Sequence, residues 1–398
     1  MAKLICIVTG SRADYGLLKP VMEAVRKNKG LKLNVIVAGS HFLPPETARE
    51  VDAEFGPHIG GLLEMQDAGD VRTRQQDARD TAEGMAGFAS CFATYNPDWV
   101  VVLGDRIEAF AAASAASIGG YGLCHIHGGD RAEGVADEAM RHAISKLAHL
   151  HCAATERSGK RLVKMGEGKQ RVHVTGSPAI DGLDELVRRN TFGDALLVNS
   201  YPDIVLLQHP AGLGDAAERG WAKAAVAACE ASVKRGVLAL EPNHDAGRES
   251  VQAVLHAKMA AHDGAGKKGK KGKTGSKKPW LMMDHLPRGA FVAMLASLAK
   301  SGGVLVGNSS AGLIEAAALG VPVVNLGPRQ AGRERAGNVL DVEVASAAAI
   351  TKAIAAARRK KVVPSRLYGD GRAGEMIARL LVKIDGQARE VLRKRNSY

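Results

Sequence analysis

Short apolar runs rich in β-branched residues alternate with helix-patterned stretches along most of this chain. The runs are apolar almost throughout and do not alternate with polar residues, which is typical of strands buried on both faces. Such strands belong to parallel sheets covered by helices on each side, so we expect an α/β fold. The predicted strands are Leu4–Thr9, Leu33–Ala38, Trp99–Leu103, Gly122–Ile126, Leu150–Ala154, Val172–Thr175, Asp203–Leu207, Val237–Leu240, Trp280–Met283, Gly303–Gly307 and Pro322–Leu326.

Both halves of the chain show this alternation, and 398 residues suit about two domains. The linker between the halves is expected near Asp181–Asp203. Two doubly wound domains bind ligands at the carboxyl ends of their strands, so we expect a shared ligand in the cleft between them. The predicted helices are Tyr15–Lys27, Arg106–Ser117, Asp137–Ala148, Ala216–Lys234, Arg248–Ala261, Gly312–Leu319, Ala345–Arg358 and Gly374–Lys394.

The positive charge of the chain is concentrated in one segment. The net charge is +12 and the pI is near 9.5, but seven of the lysines lie between Lys267 and Lys278. This Gly- and Lys-rich insertion, 264–278, is predicted to be a solvated loop that attracts anions nonspecifically. Aromatic residues make up only 4% of the chain, which disfavours a base-stacking surface, so no specific nucleic-acid partner is expected.

Several other classes of protein lack their signature here. The five cysteines, Cys6, Cys91, Cys124, Cys152 and Cys229, are never spaced C-x-x-C, so we expect reduced thiols, a cytoplasmic location and no structural zinc. No cluster has metal-ligand spacing, and neither a P-loop nor a G-x-G-x-x-G after the first strand is present, so we expect no metal and no cofactor. A secretory signal and an apolar run of membrane-spanning length are also absent from the sequence, so no membrane partner is expected.

Polar and Gly-rich turns follow six of the predicted strands. Because the carboxyl ends of parallel strands meet at one edge of a sheet, this recurrence favours a shared site over a set of ordinary solvated loops. The turns begin at Thr9, Gly104, His125, Gln208, Glu241 and Gly307.

Two turns in the second half suit a phosphorylated ligand. Small residues with free N–H groups follow Gly307, and Ser309 and Ser310 can cap the next helix or donate to phosphate oxygens. The turn after the next strand carries Arg329 between glycines, and a guanidinium fork suits a diphosphate. Ordinary helix capping and ordinary surface charge are the alternatives for these turns.

The candidate acid and base groups lie in the first half: Asp105, Asp130, Asp137, Glu138, His125 and His127. Asp105 could contact a substrate or simply cap the next helix. Asp137 and Glu138 could complement a helix dipole, and Asp137 shares a helix face with Arg141.

Several longer motifs together resemble one known family, the hydrolysing UDP-N-acetylglucosamine 2-epimerases, which start sialic-acid and legionaminic-acid type pathways. The resemblance covers nearly the whole chain except the lysine insertion. It rests on TGSRADYGLL at 9–18, GDRIEA at 104–109, HIHGGDRAEGVADEAMRHAISKLAHLH at 125–151, GSPAID at 176–181, QHP at 208–210, PNHDAG at 242–247 and GNSSAGLIEAAALGVPVVNLGPRQAGRE at 307–334.

This resemblance implies a GT-B fold of two Rossmann-like domains, 1–185 and 200–372, with the active site in the cleft and a C-terminal helix, 373–398, packing back on the first domain. It implies release of UDP from a UDP-linked 2-acetamido sugar by elimination to a glycal, followed by rehydration with inversion at C2. It also implies that the protein binds a nucleotide-sugar substrate. It further implies a homodimer or homotetramer.

The resemblance also assigns site residues. The family's catalytic carboxylates fall on Asp105 and Asp137. Its nucleotide contacts fall on Arg12, Ala13, Arg106, His209, Asn243, Ser309, Ser310, Glu315 and Arg329. Its sugar side falls on Asp14, His41, His125, Arg141, Asp181 and His285.

The chain departs from the family at three positions near these residues. Many members have a histidine where this chain has Leu103, a glutamate at His127 and another glutamate at Asp130. The acid/base partner of Asp105 is therefore His127, Asp130 or Asp137. The sugar is N-acetylglucosamine or a 2,4-diacetamido sugar such as diacetylated bacillosamine, and the nucleotide is UDP or GDP. A GT-B glycosyltransferase, a non-hydrolysing epimerase and a nucleic-acid-binding protein are the alternative functions.

Overall fold

The computed structural model describes residues 2–69, 73–132, 137–189, 202–266, 279–395 and 397. The strands in these residues are β1 (Lys3–Thr9), β2 (Leu31–Ala38), β3 (Ile59–Leu63), β4 (Trp99–Leu103), β5 (Gly122–Ile126), β6 (Leu150–Ala153), β7 (Val172–Val174), β8 (Ile204–Leu207), β9 (Val237–Leu240), β10 (Trp280–Met283), β11 (Val304–Gly307), β12 (Val323–Leu326) and β13 (Val339–Val342). The helices are α1 (Arg12–Lys27), α2 (Ala48–Phe55), α3 (Arg74–Tyr95), α4 (Ile107–Ile118), α5 (Asp137–Leu147), α6 (Glu156–Lys164), α7 (Leu183–Arg189), α8 (Asp215–Ser232), α9 (Arg248–Gly266), α10 (Arg288–Ser301), α11 (Glu315–Ala318), α12 (Ala347–Arg359), α13 (Ala373–Lys383) and α14 (Arg389–Leu392).

The chain forms two compact units. Unit 1 comprises Met1–Arg131, Ala136–Gly182 and Leu367–Tyr398, and unit 2 consists mainly of Leu183–Arg366. The lysine-rich tract expected at 264–278 lies outside the described residues from 267 onward, and so does 190–201 of the expected linker.

Unit 1 is built on a parallel sheet with the strand order β3-β2-β1-β4-β5-β6-β7. Its central strands are buried on both faces, which explains their uniformly apolar sequences. One face packs against α1 and α13 through residues such as Leu18 and Ile377. The other face packs against α3 and α4, where the small side chains of the Ala-rich α4 allow the helix to approach the sheet closely.

Unit 2 repeats this architecture with the strand order β10-β9-β8-β11-β12-β13, again entirely parallel. Trp221 and Cys229 of α8 pack on one face of its sheet, and Leu295 and Leu298 of α10 pack on the other. Both units are therefore doubly wound sheets, as the apolar strands predicted.

Two predicted helices are wrong in extent. The helix expected at Gly312–Leu319 is divided into a 3₁₀ turn, Ser310–Gly312, and the one-turn α11. The helix expected at Gly374–Lys394 ends at Lys383, because Asp385 and Gly386 interrupt it before α14 begins.

The returning C-terminal segment is integrated into unit 1. Helix α13 packs against α1, and Ile377 and Leu381 are fully buried in the core. The ammonium group of Lys3 donates to the carbonyl oxygens of Leu381, Val382 and Ile384, which caps the end of α13.

Among the described helices, none has the length and apolar character that would be needed to cross a membrane. The five cysteines are free thiols, and all but Cys91 are buried.

Candidate functional site

The sheet topology brings the predicted polar turns together within each unit. In unit 1, β1, β4 and β5 are neighbours, so the turns that follow them lie side by side at the carboxyl edge of the sheet. In unit 2 the same holds for β9, β8, β11 and β12. The strand order reverses at β1/β4 and at β8/β11, and doubly wound sheets bind ligands at such reversals.

The first turn of unit 1 opens α1 with a capping box. Ser11 caps the helix, and the carboxylate of Asp14 accepts from the N–H groups of Gly10 and Ser11 and from the hydroxyl of Thr9. Burial raises the pKa of Asp14, while these hydrogen bonds act in the opposite direction. Asp14 therefore shapes the turn, and half-buried Arg12 and exposed Ala13 are the candidate residues that it presents.

His41 is completely buried behind this turn. Its Nε2 lies 2.9 Å from Thr9 Oγ1 and its Nδ1 lies 2.8 Å from Thr47 Oγ1. Burial, aided by the positive charges of Arg106 and Arg12, lowers the pKa of His41 to about 3. A ring that is buried and neutral supports the turn and cannot serve as an acid near neutral pH.

Asp105 follows β4 and forms an ion pair with Arg141 of α5. The guanidinium of Arg141 is buried and also contacts Glu138 at 3.2 Å, and Glu138 in turn lies 3.2 Å from His142 Nε2. Asp105 does not cap α4, because Arg106 occupies the capping position. Asp137 is the first residue of α5, and its side chain lies outside the described part of the structure.

Glu108 is a buried acid that the sequence reasoning did not single out. Its carboxylate lies 3.3 Å from Arg106 Nε and accepts from the backbone N–H of Ser40. Burial raises the pKa of Glu108, and the charge of Arg106 opposes this shift. A Cβ atom at Gly10 or Gly39 would lie 2.4 Å from Glu108 carbons, so both glycines are required for the close approach of these two turns. Glu108 is the one charged residue in the Ala-rich sequence of α4, and this was the signal from which it could have been found.

The end of β5 and the turn that follows it contain three further candidates. His125 is completely buried between Gly104 O, 2.8 Å away, and Ser145 Oγ, 3.1 Å away, and burial lowers its pKa to about 3. His127 Nδ1 lies 3.7 Å from Asp130 Oδ2, and both residues are buried. The structure therefore brings His127 and Asp130 together and gives His125 a supporting position.

Asp181 has a structural role that the resemblance did not suggest. Its carboxylate accepts from the N–H groups of Ala373 and Gly374 and so caps the start of α13. This contact joins the GSPAID segment to the returning C-terminal chain within unit 1.

In unit 2, a pair of hydrogen bonds joins the two turns at the sheet reversal. Asn308 Oδ1 accepts from His209 N at 2.7 Å, and Asn308 Nδ2 donates to His209 O at 2.8 Å. His209 Nδ1 accepts from the backbone N–H of Asn243. The candidates His209 and Asn243 therefore lie next to one another, while His285 is half-buried after β10.

Ser309 and Ser310 open a short 3₁₀ turn, and Ser309 Oγ accepts from Ala311 N. The single helix expected to start here is instead this 3₁₀ turn followed by the one-turn α11. Glu315 is buried one turn further on, 3.5 Å from Arg288. Burial raises the pKa of Glu315, and the charge of Arg288 opposes the shift.

Arg329 is held by three groups around it. It donates to the carbonyl oxygens of Pro210 and Asn308 and lies 3.4 Å from Asp245 Oδ2. Its turn begins at Gly327, whose φ of 68° is left-handed and whose Cβ position lies 3.3 Å from the Trp221 ring. A bound anion would compete with Asp245 for this guanidinium.

No group of three or more His, Cys, Asp or Glu side chains in the described ranges is arranged to hold a metal ion. The candidate groups of unit 1 include carboxylates and imidazoles, and those of unit 2 include Arg, Ser and amide groups.

The two units belong to the doubly wound class of α/β domains, which commonly bind nucleotides at the carboxyl ends of their strands. A family profile described as UDP-N-acetylglucosamine 2-epimerase matches residues 23–382. A Legionella pneumophila protein named UDP-N,N'-diacetylbacillosamine 2-epimerase (hydrolyzing) is 34% identical, with complete coverage of both chains. The chain therefore belongs to the UDP-N-acetylglucosamine 2-epimerase family and is a UDP-sugar 2-epimerase.

One further protein and one solved structure are also similar to this chain. A Campylobacter jejuni protein named GDP/UDP-N,N'-diacetylbacillosamine 2-epimerase (hydrolyzing) is 28% identical over 85% of this chain and 84% of its own. The crystal structure of UDP-GlcNAc 2-epimerase from Neisseria meningitidis bound to UDP-GlcNAc has a TM-score of 0.75 at 19% identity, and the match covers 96% of this chain and 100% of that one. The predicted fold class of two Rossmann-like domains is confirmed.

Proposed function

We propose that this protein is a hydrolysing 2-epimerase that acts on a UDP-linked 2-acetamido sugar. UDP-N,N'-diacetylbacillosamine is the first candidate substrate, because the 34% identical Legionella relative is named for its hydrolytic epimerisation. UDP-N-acetylglucosamine is the second candidate, since the matching family profile carries its name. The Campylobacter relative is named for both GDP and UDP sugars, so the nucleotide belongs in the test.

The observation that carries the proposal is the Asp105–Arg141 ion pair at the end of β4. The side chain of Asp105 is 20% exposed, whereas Arg141 is buried at 2%. A buried guanidinium thus holds a solvent-accessible carboxylate in a fixed position, which is what a general base for a carbon-bound proton requires.

In the proposed reaction, Asp105 accepts the proton from C2 of the sugar while the C1–O bond to UDP breaks. The products of this step are UDP and a glycal. Water then adds at C1, and a proton is delivered to the opposite face of C2, so the free sugar has the manno configuration. His127, Asp130 and Asp137 are the candidate donors of that proton.

The remaining candidates are assigned to binding. Arg12, Arg106 and Arg329 would stabilise the negative charge of the departing diphosphate. We assign the nucleotide to Ala13, His209, Asn243, Ser309, Ser310 and Glu315, and the sugar to Arg141 and His285. Asp14, His41, His125 and Asp181 would act by supporting the turns that hold these groups. We further expect a homodimer or homotetramer in a sialic- or legionaminic-acid type pathway.

Incubation in D₂O with each UDP- and GDP-linked sugar, without an acceptor, tests the proposal. Nucleotide release with a free manno-configured sugar carrying deuterium at C2 is expected. Formation of a UDP-linked manno sugar would instead indicate a non-hydrolysing epimerase. Absence of release without an acceptor would favour a GT-B glycosyltransferase and refute the proposal.

A further inference from the structure

A chain of polar contacts inside unit 1 leads to His127 from both sides. On one side, Thr155 Oγ1 donates to Ser158 Oγ at 3.0 Å, and Ser158 Oγ donates to Asp130 Oδ1 at 2.7 Å. Asp130 Oδ2 faces His127 Nδ1 at 3.7 Å. On the other side, His127 Nε2 lies 2.8 Å from Ser177 Oγ. The order of the last three groups is therefore Asp, His, Ser.

This order is that of a hydrolase triad, but Ser177 is not placed to be a nucleophile. Ser177 is 0% exposed, so a substrate cannot reach its hydroxyl. Its oxygen also caps the 3₁₀ turn Pro178–Ile180 by accepting from Ala179 N at 3.2 Å. A buried hydroxyl that contacts both Ala179 N and the imidazole of His127 can orient that imidazole.

The surroundings of both ring nitrogens favour one tautomer of His127. The oxygen of Ser177 accepts from Ala179 N, and its single hydrogen can be donated to His127 Nε2. An imidazole whose Nε2 accepts carries its proton on Nδ1, and Nδ1 is the atom that faces Asp130. A carboxylate opposite Nδ1–H favours the same tautomer.

The backbone of His127 shows why an external contact is needed. Its φ is +64°, in the left-handed region that few residues other than glycine adopt. The imidazole thus leaves the end of β5 in a direction that ordinary strand geometry does not provide, and its packing partners must hold it there.

Ser177 is itself held by the returning C-terminal segment. Its N–H donates to Tyr368 O at 2.7 Å, directly after the chain re-enters unit 1 at Leu367. A Cβ at Gly176 would lie 2.9 Å from the same carbonyl oxygen, so the two strands of chain are in close contact. Four residues after Ser177, Asp181 caps α13.

We propose that Ser177 is a positioning residue for His127. Its hydroxyl keeps Nε2 as an acceptor and Nδ1–H directed at Asp130, and the returning segment at Tyr368 keeps Ser177 in place. The expected effect of Ser177 on turnover rests on the proposed function, in which His127 is a candidate proton donor.

The test combines ¹⁵N NMR of ring-labelled histidines in the full chain at pH 8 with steady-state kinetics. Wild type should show the Nδ1–H tautomer for His127. In Ser177→Ala this population should fall, kcat should drop tenfold or more, and KM should change less than threefold. Ser177→Thr, which keeps the hydroxyl, should restore both the tautomer and at least a third of kcat.

Ser145→Ala is the matched control, because it removes a buried hydroxyl from the neighbouring His125. It should perturb the His125 resonances and leave the His127 tautomer unchanged. An unchanged His127 tautomer in Ser177→Ala would overturn the proposal, even if kcat falls, because the loss would then be merely structural. If wild type turns over no sugar nucleotide, the proposed function fails, while the tautomer measurement still decides the role of Ser177.

Discussion

Glu167 should be the most important single carboxylate for the stability of unit 1. It is completely buried and lies 3.0 Å from His151 Nε2, 2.9 Å from Lys146 Nζ and 2.7 Å from Lys394 Nζ. Lys394 also donates to carbonyl oxygens at the end of α5, including that of Ala148. The carboxylate therefore joins three parts of unit 1, one of which is the C-terminal segment.

The magnitude follows from the pKa of Glu167. Burial alone would raise this pKa, but the hydrogen bonds from His151, Lys394 and Lys146 outweigh that effect and lower it from 4.5 to about 2. A shift of this size corresponds to about 3 kcal/mol of stability for the ionised carboxylate. Glu167→Gln should therefore lower the free energy of unfolding of unit 1 by about 3 kcal/mol at pH 7, near the usual cost of breaking a buried ion pair.

The tryptophans allow unit 1 to be observed separately. Of the three, Trp99 lies in unit 1, where its Nε1 donates to Ile384 O, and Trp221 and Trp280 lie in unit 2. In a Trp221→Phe, Trp280→Phe background, urea unfolding followed by Trp99 fluorescence reports on unit 1. The difference between wild type and Glu167→Gln should shrink by about 1 kcal/mol between pH 7 and pH 4, since protonation of the unfolded glutamate removes the advantage of the folded one.

Glu46→Gln provides the control within unit 1. Glu46 also pairs with a basic side chain, that of Arg49, but its own side chain is 58% exposed, so its loss should cost less than about 1 kcal/mol. An equal and small effect of the two substitutions at pH 7 would refute the reasoning, because it would mean that the buried network contributes no more than a surface ion pair.

Three further predictions concern the site and the lysine tract. Asp105→Asn should abolish nucleotide release while UDP affinity, measured by calorimetry, stays within threefold; turnover at the wild-type rate would remove Asp105 from the mechanism. Gly307→Ala should lower the free energy of unfolding, measured by thermal unfolding, by more than about 2 kcal/mol, because the added Cβ would lie 1.8 Å from Leu207 O. Gly337→Ala is the control: its Cβ meets no atom within 4 Å and only its positive φ of 87° is strained, so it should cost about 1 kcal/mol. Equal costs of the two substitutions would contradict the steric argument. Deletion of 267–278 removes seven lysines and should weaken low-salt binding to polyanions without lowering turnover; a loss of turnover would show that the tract is part of the enzyme's function.

The sequence predicted the sheets better than the helices that cover them. Strands such as Trp99–Leu103 and Gly122–Ile126 have the predicted bounds, because a strand buried on both faces must be apolar throughout. Helix α3, Arg74–Tyr95, was not predicted, and only four of its residues are buried, including Gly84 and Phe88. A long, largely polar helix of this kind has too weak a periodicity to be recognised from its sequence.

Within the site, the sequence predicted positions but not partners. The turns after β1, β4 and β5 lie where parallel pairing requires, so Asp105 and His127 were found from strand ends alone. The ion pair of Asp105 with Arg141 of α5 and the contact of His127 with Ser177, which follows β7, were not predicted. Such pairings depend on tertiary packing, for which short-range spacing carries no signal.

The buried histidines of unit 1 make a last consequence of this packing testable. Burial is the main cause that lowers the pKa of His41 and of His125 from 6.5 to about 3, so both rings are neutral in the folded protein at pH 5, whereas the unfolded chain binds a proton at each. Stability is then fully present above about pH 6.5 and falls as the pH is lowered toward 3, by about 2 kcal/mol per ring at pH 5. The Trp99-reported stability of a His41→Gln variant should therefore fall by about 2 kcal/mol less than that of wild type between pH 7 and pH 5. Equal pH dependence of the two proteins would show that His41 is protonated in the folded state, and would contradict its assignment as a neutral supporting residue.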